Sequence, residues 1–367
     1  MELLNFTPFP ASISRLMDPK GQQFDLVVVS ATFIAHPARP VELAKDQAPI
    51  READSYYGDP GLSSVRFEAE VALQKPRVDV IVNGSAVAPG YLPTKSVTVS
   101  LKIGDIDKQL LVSGDRRWRL GLLGPAPSEP QTFVKMPIIY ERAFGGIDQS
   151  SSNPAKWPAD PRNPIGVGFR GAASSTPAVQ SEVPNIEYPS KRIASKRDKP
   201  LPAGFGIVAR NWQPRISYAG TFDDAWKSEQ FPLLPEDFNL LHNQAAPADQ
   251  QSGTIAGGEQ GEITNMTPEG DWRFALPVLD LSAHLWSGRS EEPVKLRMDT
   301  VILEPDDYRI ILIARAAIQV VRSQPPIRNL VLGHMSNAWR RAQSGGKRYL
   351  DYHGTSGRST HLAGFRV

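Results

Sequence analysis

The chain has 367 residues, of which 40% are apolar and 22% charged, with a formal net charge of +2 and no cysteine. Disulfides, thiolate metal sites and cysteine nucleophiles are thereby excluded, while the apolar content suffices for a packed core. With 33 prolines and 29 glycines, the composition favours many turns over long helices.

Met1–Pro10 has neither a basic leader nor a continuous apolar run, so no signal peptide is expected. The β-branched and aromatic run 24–36 predicts a buried strand. Val78–Val82, closed by the turn pair Asn83-Gly84, predicts another. Val97–Ile103 alternates as a half-buried strand should, and Ile106–Val112 follows across Gly104-Asp105, predicting a hairpin. Phe133–Tyr140 reads as a further strand. Late in the chain, Val294–Leu303 and Tyr308–Val321 flank Glu304-Pro-Asp-Asp307 and predict a second hairpin, expected to pair with the early sheet. Helical signals are short: Asp223–Gln230 with Asp223 as N-cap, Pro235–His242, and Ser336–Gln343. The longest apolar stretch, Ile310–Val321, is interrupted by Arg315 and Gln319 and falls short of the ~20 residues that cross a bilayer. A cytoplasmic location is expected.

The fold class predicted is mainly β: two packed β-sandwich- or barrel-like units sharing a core, with long ordered coil and few short helices. Residues 1–140 form the N-terminal β body, 141–275 a motif-rich ordered coil, and 276–321 the returning strands of the same folding unit. Residues 322–367 read as a basic tail. The last segment holds eight Lys/Arg and one acid, Asp351, for +7, which leaves −5 for residues 1–321. Such asymmetry suits an acidic partner surface, nucleic acid, or docking onto the body.

The middle of the chain is the most distinctive part. Trp157, Trp212, Trp226, Phe205, Phe222, Phe231 and Phe238 stand among Gly, Pro, Asn and Asp. Large aromatics in turn-rich sequence indicate ordered coil laid on a core rather than a tether, and long ordered loops are often functional. Trp212, Arg215, Trp226 and Arg142 have the composition of a binding hot spot. The same residues are equally suited to pinning the coil internally through burial and cation–π contact, and the sequence leaves both roles open.

Motifs for metal, nucleotide or nucleophilic catalysis are absent. The glycine clusters 257–261 and 204–206 lack the strand–loop–helix context of a phosphate cradle and read as turns. The six histidines are dispersed, and no cofactor or metal is expected. Glu141, Asp223 and Asp249 lie in the coil, where acid–base pairs of glycan-cleaving enzymes are found, so a carbohydrate- or peptidoglycan-active enzyme is the alternative function. Arg340, Arg341, Lys347 and Arg348, with Trp339, Tyr349 and Tyr352, offer electrostatic contacts in the tail, with nucleic acid as the lesser reading.

One ordered series of phrases spans about residues 1–320. It comprises Asn5-Phe-Thr-Pro-Phe9, Lys75-Pro76, Val112–Trp118, Glu141–Gly146, Asn163–Phe169, Pro184–Glu187, Trp212–Arg215, Ala219-Gly-Thr221 and Asn243–Gln250. The series resembles the bacterial family known as domain of unknown function 2169 (DUF2169). Ser30 and Gly206-Ile207 depart from the family pattern, where Lys and Gly-Pro are expected. The resemblance implies a non-enzymatic type VI secretion adaptor that binds a toxic effector, or its PAAR-like segment, and helps load it onto the VgrG spike. Arg142, Phe144, Trp212, Arg215, Trp226, Asn243 and Gln250, all in the coil, are the candidate partner-binding residues.

Overall fold

The run 24–36 has no polar face to turn outward, so it needs cover on both sides. In the computed structural model, which describes residues 1–121, 124–172, 174, 181–287, 290–321 and 329–345, it forms the strand Gln23–Ile34, buried from Asp25 to Phe33. Ala11–Met17 pairs antiparallel on one side and Arg309–Gln319 on the other, which sets Val28 between Ser12 and Arg315. The late hairpin, Arg297–Glu304 with Arg309–Gln319, turns through Pro305–Asp307. It inserts between Gln23–Ile34 and Val78–Val82, running parallel to the latter with Val301 opposite Val80. Gln251–Ser252 completes this sheet beyond Val78–Val82.

A second sheet runs in the order Ile186–Glu187, Ile106–Ser113, Ser96–Ile103, Gln260–Thr264, Asp271–Ala275. Its central hairpin has the expected register, with Ile106 opposite Ile103, and Gly104 takes the left-handed φ of +56° that the turn demands. The two sheets feed one apolar cluster. Leu26, Val80, Ile302 and Leu312 come from the first, and Val99, Leu101, Leu110, Ile263 and Trp272 from the second. Trp272 is fully buried, and its indole N–H donates at 2.7 Å to the carbonyl oxygen of Ala35, the residue just past the strand Gln23–Ile34, tying the second sheet to the end of that strand.

The molecule is mainly β with several sheets; among the described residues none closes into a barrel. Four local expectations change. The coil region contains a clean hairpin, Gln260–Thr264 with Asp271–Ala275. Its alternation, Ile263 against Trp272 and Phe274 inward, is short and lies among glycines. The strand expected over Phe133–Tyr140 shrinks to Lys135–Pro137, and the chain then turns at Tyr140–Arg142. Pro235–His242 is not a helix; only Leu240–Asn243 makes a 3-10 turn, capped by Asn239. Asp223 does cap the helix Asp224–Glu229, its carboxylate accepting from Trp226 N.

The fourth change concerns the basic segment. Asn329–Leu332 is a strand, parallel to Glu2–Asn5 and antiparallel to Ala283–Ser287. The helix Asn337–Ser344 follows and packs Trp339 edge-on to Trp286 and Phe6. Lys and Arg dominate this segment's charge, but Leu330, Val331, Leu332, Met335 and Trp339 decide its placement by burial. Lys347 and Arg348 lie outside the described residues. Leu332→Ala should therefore cost about 2–5 kcal/mol in urea unfolding, as a core truncation does, whereas exposed Arg341→Ala should stay within about 0.5 kcal/mol. Equal effects would mean that the segment is not part of the core.

Candidate functional site

The coil between Ile216 and His242 leaves the body and returns to it, forming an arm whose two roots are bolted to buried carboxylates. The outgoing root is Trp212–Arg215. Trp212 is buried edge-on to Tyr140 at 5.5 Å. The Arg215 guanidinium donates to Glu68 Oε1 at 2.8 Å, to Val208 O at 2.6 Å, and twice to His242 O, at 3.0 and 2.8 Å. Arg210 reaches the same Glu68 oxygen at 2.8 Å. Burial pushes the Glu68 carboxyl up, but Arg215 and Arg210 outweigh it and leave it below its ordinary value.

The returning root is Asn243–Gln250. Here the wholly buried Asp79 accepts from Gln244 Nε2 (2.7 Å), Ala245 N (2.8 Å) and Ala246 N (3.1 Å), and from Lys75 Nζ at 2.8 Å. Asn243 Nδ2 donates to Gln74 O. Gln250 is buried and bridges Val80 O and Phe205 O through its Nε2, while its Oε1 accepts from Lys108. Lys108 also donates to Gly204 O (2.7 Å) and Asp249 (2.8 Å). Burial lowers its pKa to about 8, against the pull of Asp249.

Between the roots the arm is internally tied. Gly220 holds φ +87°, and a Cβ there would meet Asp237 Oδ1 and Pro235 Cβ at 2.7 Å. That close approach lets Asp237 accept from Thr221 N (2.9 Å) and Oγ1 (2.8 Å), pinching the neck. Trp226 Nε1 donates to Leu233 O, and Asn239 N donates back to Tyr218 O. The result is a rigid display of aromatics. Phe222 lies 4.7 Å from Trp226 and Trp226 5.8 Å from Phe231, both edge-to-face. Phe222 is 54% exposed and Phe231 68%. Below the arm an apolar groove of about 460 Å³ is lined by Leu234, Phe238, Leu240 and Asn243 from the arm. Leu16, Met17, Phe24, Val71 and Ala317 line it from the body.

The sequence-derived site residues thus separate. Trp226 centres the exposed trio and Asn243 lines the groove. Trp212, Arg215 and Gln250 are interior and hold the roots; of the two roles left open for Trp212 and Arg215 the structure shows the internal one, and Gln250, expected at a partner surface, is instead a buried bridge. Phe144 is buried in a small cluster with Trp118, Val183 and Ile193. Arg142 pairs with Asp115 at 3.4 Å and lines a separate polar crevice of about 360 Å³. Arg340 is 3.4 Å from Glu291, and Arg341 is exposed. Phe222 and Phe231 were noted in the sequence as aromatic but not as site residues; their exposure is a tertiary property.

The carboxylates considered for acid–base work have structural partners. Glu141 accepts from Ser64 N and the Ser64 hydroxyl, Asp223 caps a helix, and Asp249 pairs with Lys108 and accepts from Tyr188 OH. Among the described residues no three His, Asp or Glu are grouped to hold a metal, and no helix is long and apolar enough to cross a membrane.

These features define a mainly β protein whose long coil is ordered by buried ion pairs and raised into an exposed arm. The chain belongs to the DUF2169 family, described as an uncharacterized protein conserved in bacteria, whose model matches residues 20–315. The matched span contains the arm and both roots. No curated protein and no solved structure matches the chain.

Asp79→Asn removes the charge facing buried Lys75 and replaces acceptor lone pairs with donors. It should cost about 3–5 kcal/mol in urea unfolding and speed tryptic cleavage after Lys227 in the loosened arm; unchanged cleavage would mean that Asp79 does not hold it. The Lys108 shift also fixes a pH dependence. Below about pH 8 the lysine is protonated whether folded or unfolded, and no slope arises. Between about 8 and 10.4, the unfolded lysine's pKa, the unfolded chain holds this proton and the folded one does not, so the contribution of Lys108 to stability rises with pH. Its size, on the order of 2–3 kcal/mol, is read as the difference between the wild type and Lys108→Met, because Tyr57, Tyr140, Tyr188 and Tyr308, whose pKa values are raised in the fold, pull the other way near pH 10 in both proteins. Parallel curves for the two proteins over that range would refute the assignment.

Proposed function

We propose that this protein is a type VI secretion adaptor that holds a toxic effector, or the effector's PAAR-like segment, and helps mount it on the VgrG spike. The observation that carries the reading is the arm: an edge-to-face aromatic trio with its two phenylalanines exposed, on an element that also lines an open apolar groove and whose base is fixed by buried hydrogen bonds. Aromatic anchors on a pre-ordered element lose little entropy on binding and are typical of binding hot spots. Exposed clusters of this kind on a protein surface mark interaction sites. The resemblance of the phrase series to adaptors of secreted toxins supplies the client class.

The enzyme alternative has less support, because Glu141, Asp223 and Asp249 are each engaged in holding the fold. A transient loader needs a strong but releasable contact, which a small aromatic patch with a polar rim supplies better than a large apolar interface.

The test is capture of the client from the native bacterium by the tagged protein, identified by mass spectrometry, alongside the Trp226→Ala variant. A toxin with a PAAR or VgrG component should co-purify. Trp226→Ala should reduce its recovery at least tenfold, in line with loss of a ~2 kcal/mol anchor, while shifting the melting temperature little. Normal secretion of the neighbouring toxin in cells lacking this protein would sink the adaptor reading.

A further inference from the structure

The arm is chemically lopsided. From Ile216 to Asn243 it carries Asp223, Asp224, Glu229, Glu236 and Asp237 against Lys227 alone, a net of −4. Those 28 residues therefore hold most of the −5 carried by residues 1–321. All five carboxylates are on exposed residues, and among the described residues no Lys or Arg pairs with any of them. Two have local duties, Asp223 as a cap and Asp237 at the neck. No local duty of that kind falls to the side chains of Asp224, Glu229 and Glu236, which share the arm with the aromatic trio. The apolar display thus shares its segment with negative charge that no Lys or Arg pairs with among the described residues.

We propose that the arm and the groove beneath it take a basic amphipathic helix of the partner: one apolar stripe, with Lys or Arg along its margins. This inference rests on the adaptor reading for the partner's identity, but its chemistry comes from the surface itself. The apolar stripe meets Phe222, Trp226 and Phe231 and the groove walls, while the basic margins meet Asp224, Glu229 and Glu236. Leu16, Phe24, Ala317, Phe238 and Leu240 give the groove an apolar lining, which the apolar stripe of an amphipathic helix matches. The acidic rim speeds encounter with a basic partner and turns away acidic ones, which is negative selection as much as attraction. It also repels an anionic membrane, for which the trio alone would be suited.

Calorimetric titration of the full chain with three synthetic peptides tests this. The first is a helix-forming amphipathic peptide with Lys margins. The second has those Lys replaced by Glu, and the third is a scrambled peptide of the first's composition. The first should bind, at least tenfold tighter than either of the others, and weaken as salt is raised. Trp226→Ala should reduce its affinity at least tenfold. Asp224→Lys with Glu229→Lys and Glu236→Lys, all exposed changes, should reverse the preference between the Lys and Glu peptides. Equal binding of the two peptides, or a preference unmoved by the triple reversal, overturns the proposal. So does Trp226-dependent binding to anionic phospholipid vesicles, or Trp226-dependent dimerisation in sedimentation. If a client is captured from cells through Trp226 while the basic peptide does not bind, this inference fails and the adaptor reading stands. If the peptide binds with the stated preference but no spike component is captured, the reverse holds.

Discussion

Four donors converge on one carboxylate, that of Asp79, and the placement of the long coil depends on it. Lys75 neutralises the charge, and Gln244, Ala245 and Ala246 supply hydrogen bonds from the returning coil. Asp79 sits on Val78–Val82, which lies between the late hairpin and the short strand Gln251–Ser252. A carboxylate fully removed from water is tolerated only when its charge and lone pairs are met in place. The coil must therefore return to that point of the sheet, with that register, or leave a bare charge in the interior.

The same logic extends through the surrounding interior. Lys75, Arg210, Arg215 and Arg315 face Glu68, Glu70, Asp79 and Asp299, four cations against four carboxylates. Arg315 contacts Glu70 at 3.0 Å and Asp299 at 2.5 Å, and donates to Ala72 O. Burial holds the Glu70 carboxyl above its ordinary value despite Arg315 and Lys75, whereas Glu68, between two arginines, falls below. Paired buried charges add modest net stability, but breaking one pair is costly, so they specify a single arrangement more than they strengthen it. Here that specificity falls on coil, which has no ladder of its own to fix it. The arm can be rigid and exposed together because its order is imposed at the roots.

Much of the scaffold was legible. The run 24–36, the hairpin across Gly104-Asp105 and the late hairpin were readable from period and turn chemistry, because each is a local pattern with a buried face. Asp223 as a helix cap was readable for the same reason. The coil's being ordered was readable from its aromatics, and the role of the phrases in part: Trp212–Arg215 and Asn243–Gln250 mark the two roots. What those phrases do was not readable. An Arg beside a Trp has the same composition whether it meets a partner or reaches His242 O and Glu68 from inside. Asn329–Leu332 was hidden similarly, since its basic neighbours outnumber its three apolar residues, and its partner strands begin at Glu2 and Ala283.

By itself, then, the sequence determined the fold class, the main strands, the family, and the ordered character of the described coil in the middle of the chain. These follow from short-range periodicity, composition and a series of phrases in fixed order. The tertiary structure alone decided which aromatics face water. Trp212 and Trp226 stand 14 positions apart in similar surroundings, yet one is buried against Tyr140 and the other meets two exposed phenylalanines edge-to-face. Exposure depends on what the rest of the chain brings alongside: Glu68, Asp79 and Tyr140, all distant in sequence, claim the roots and leave the arm between them outside.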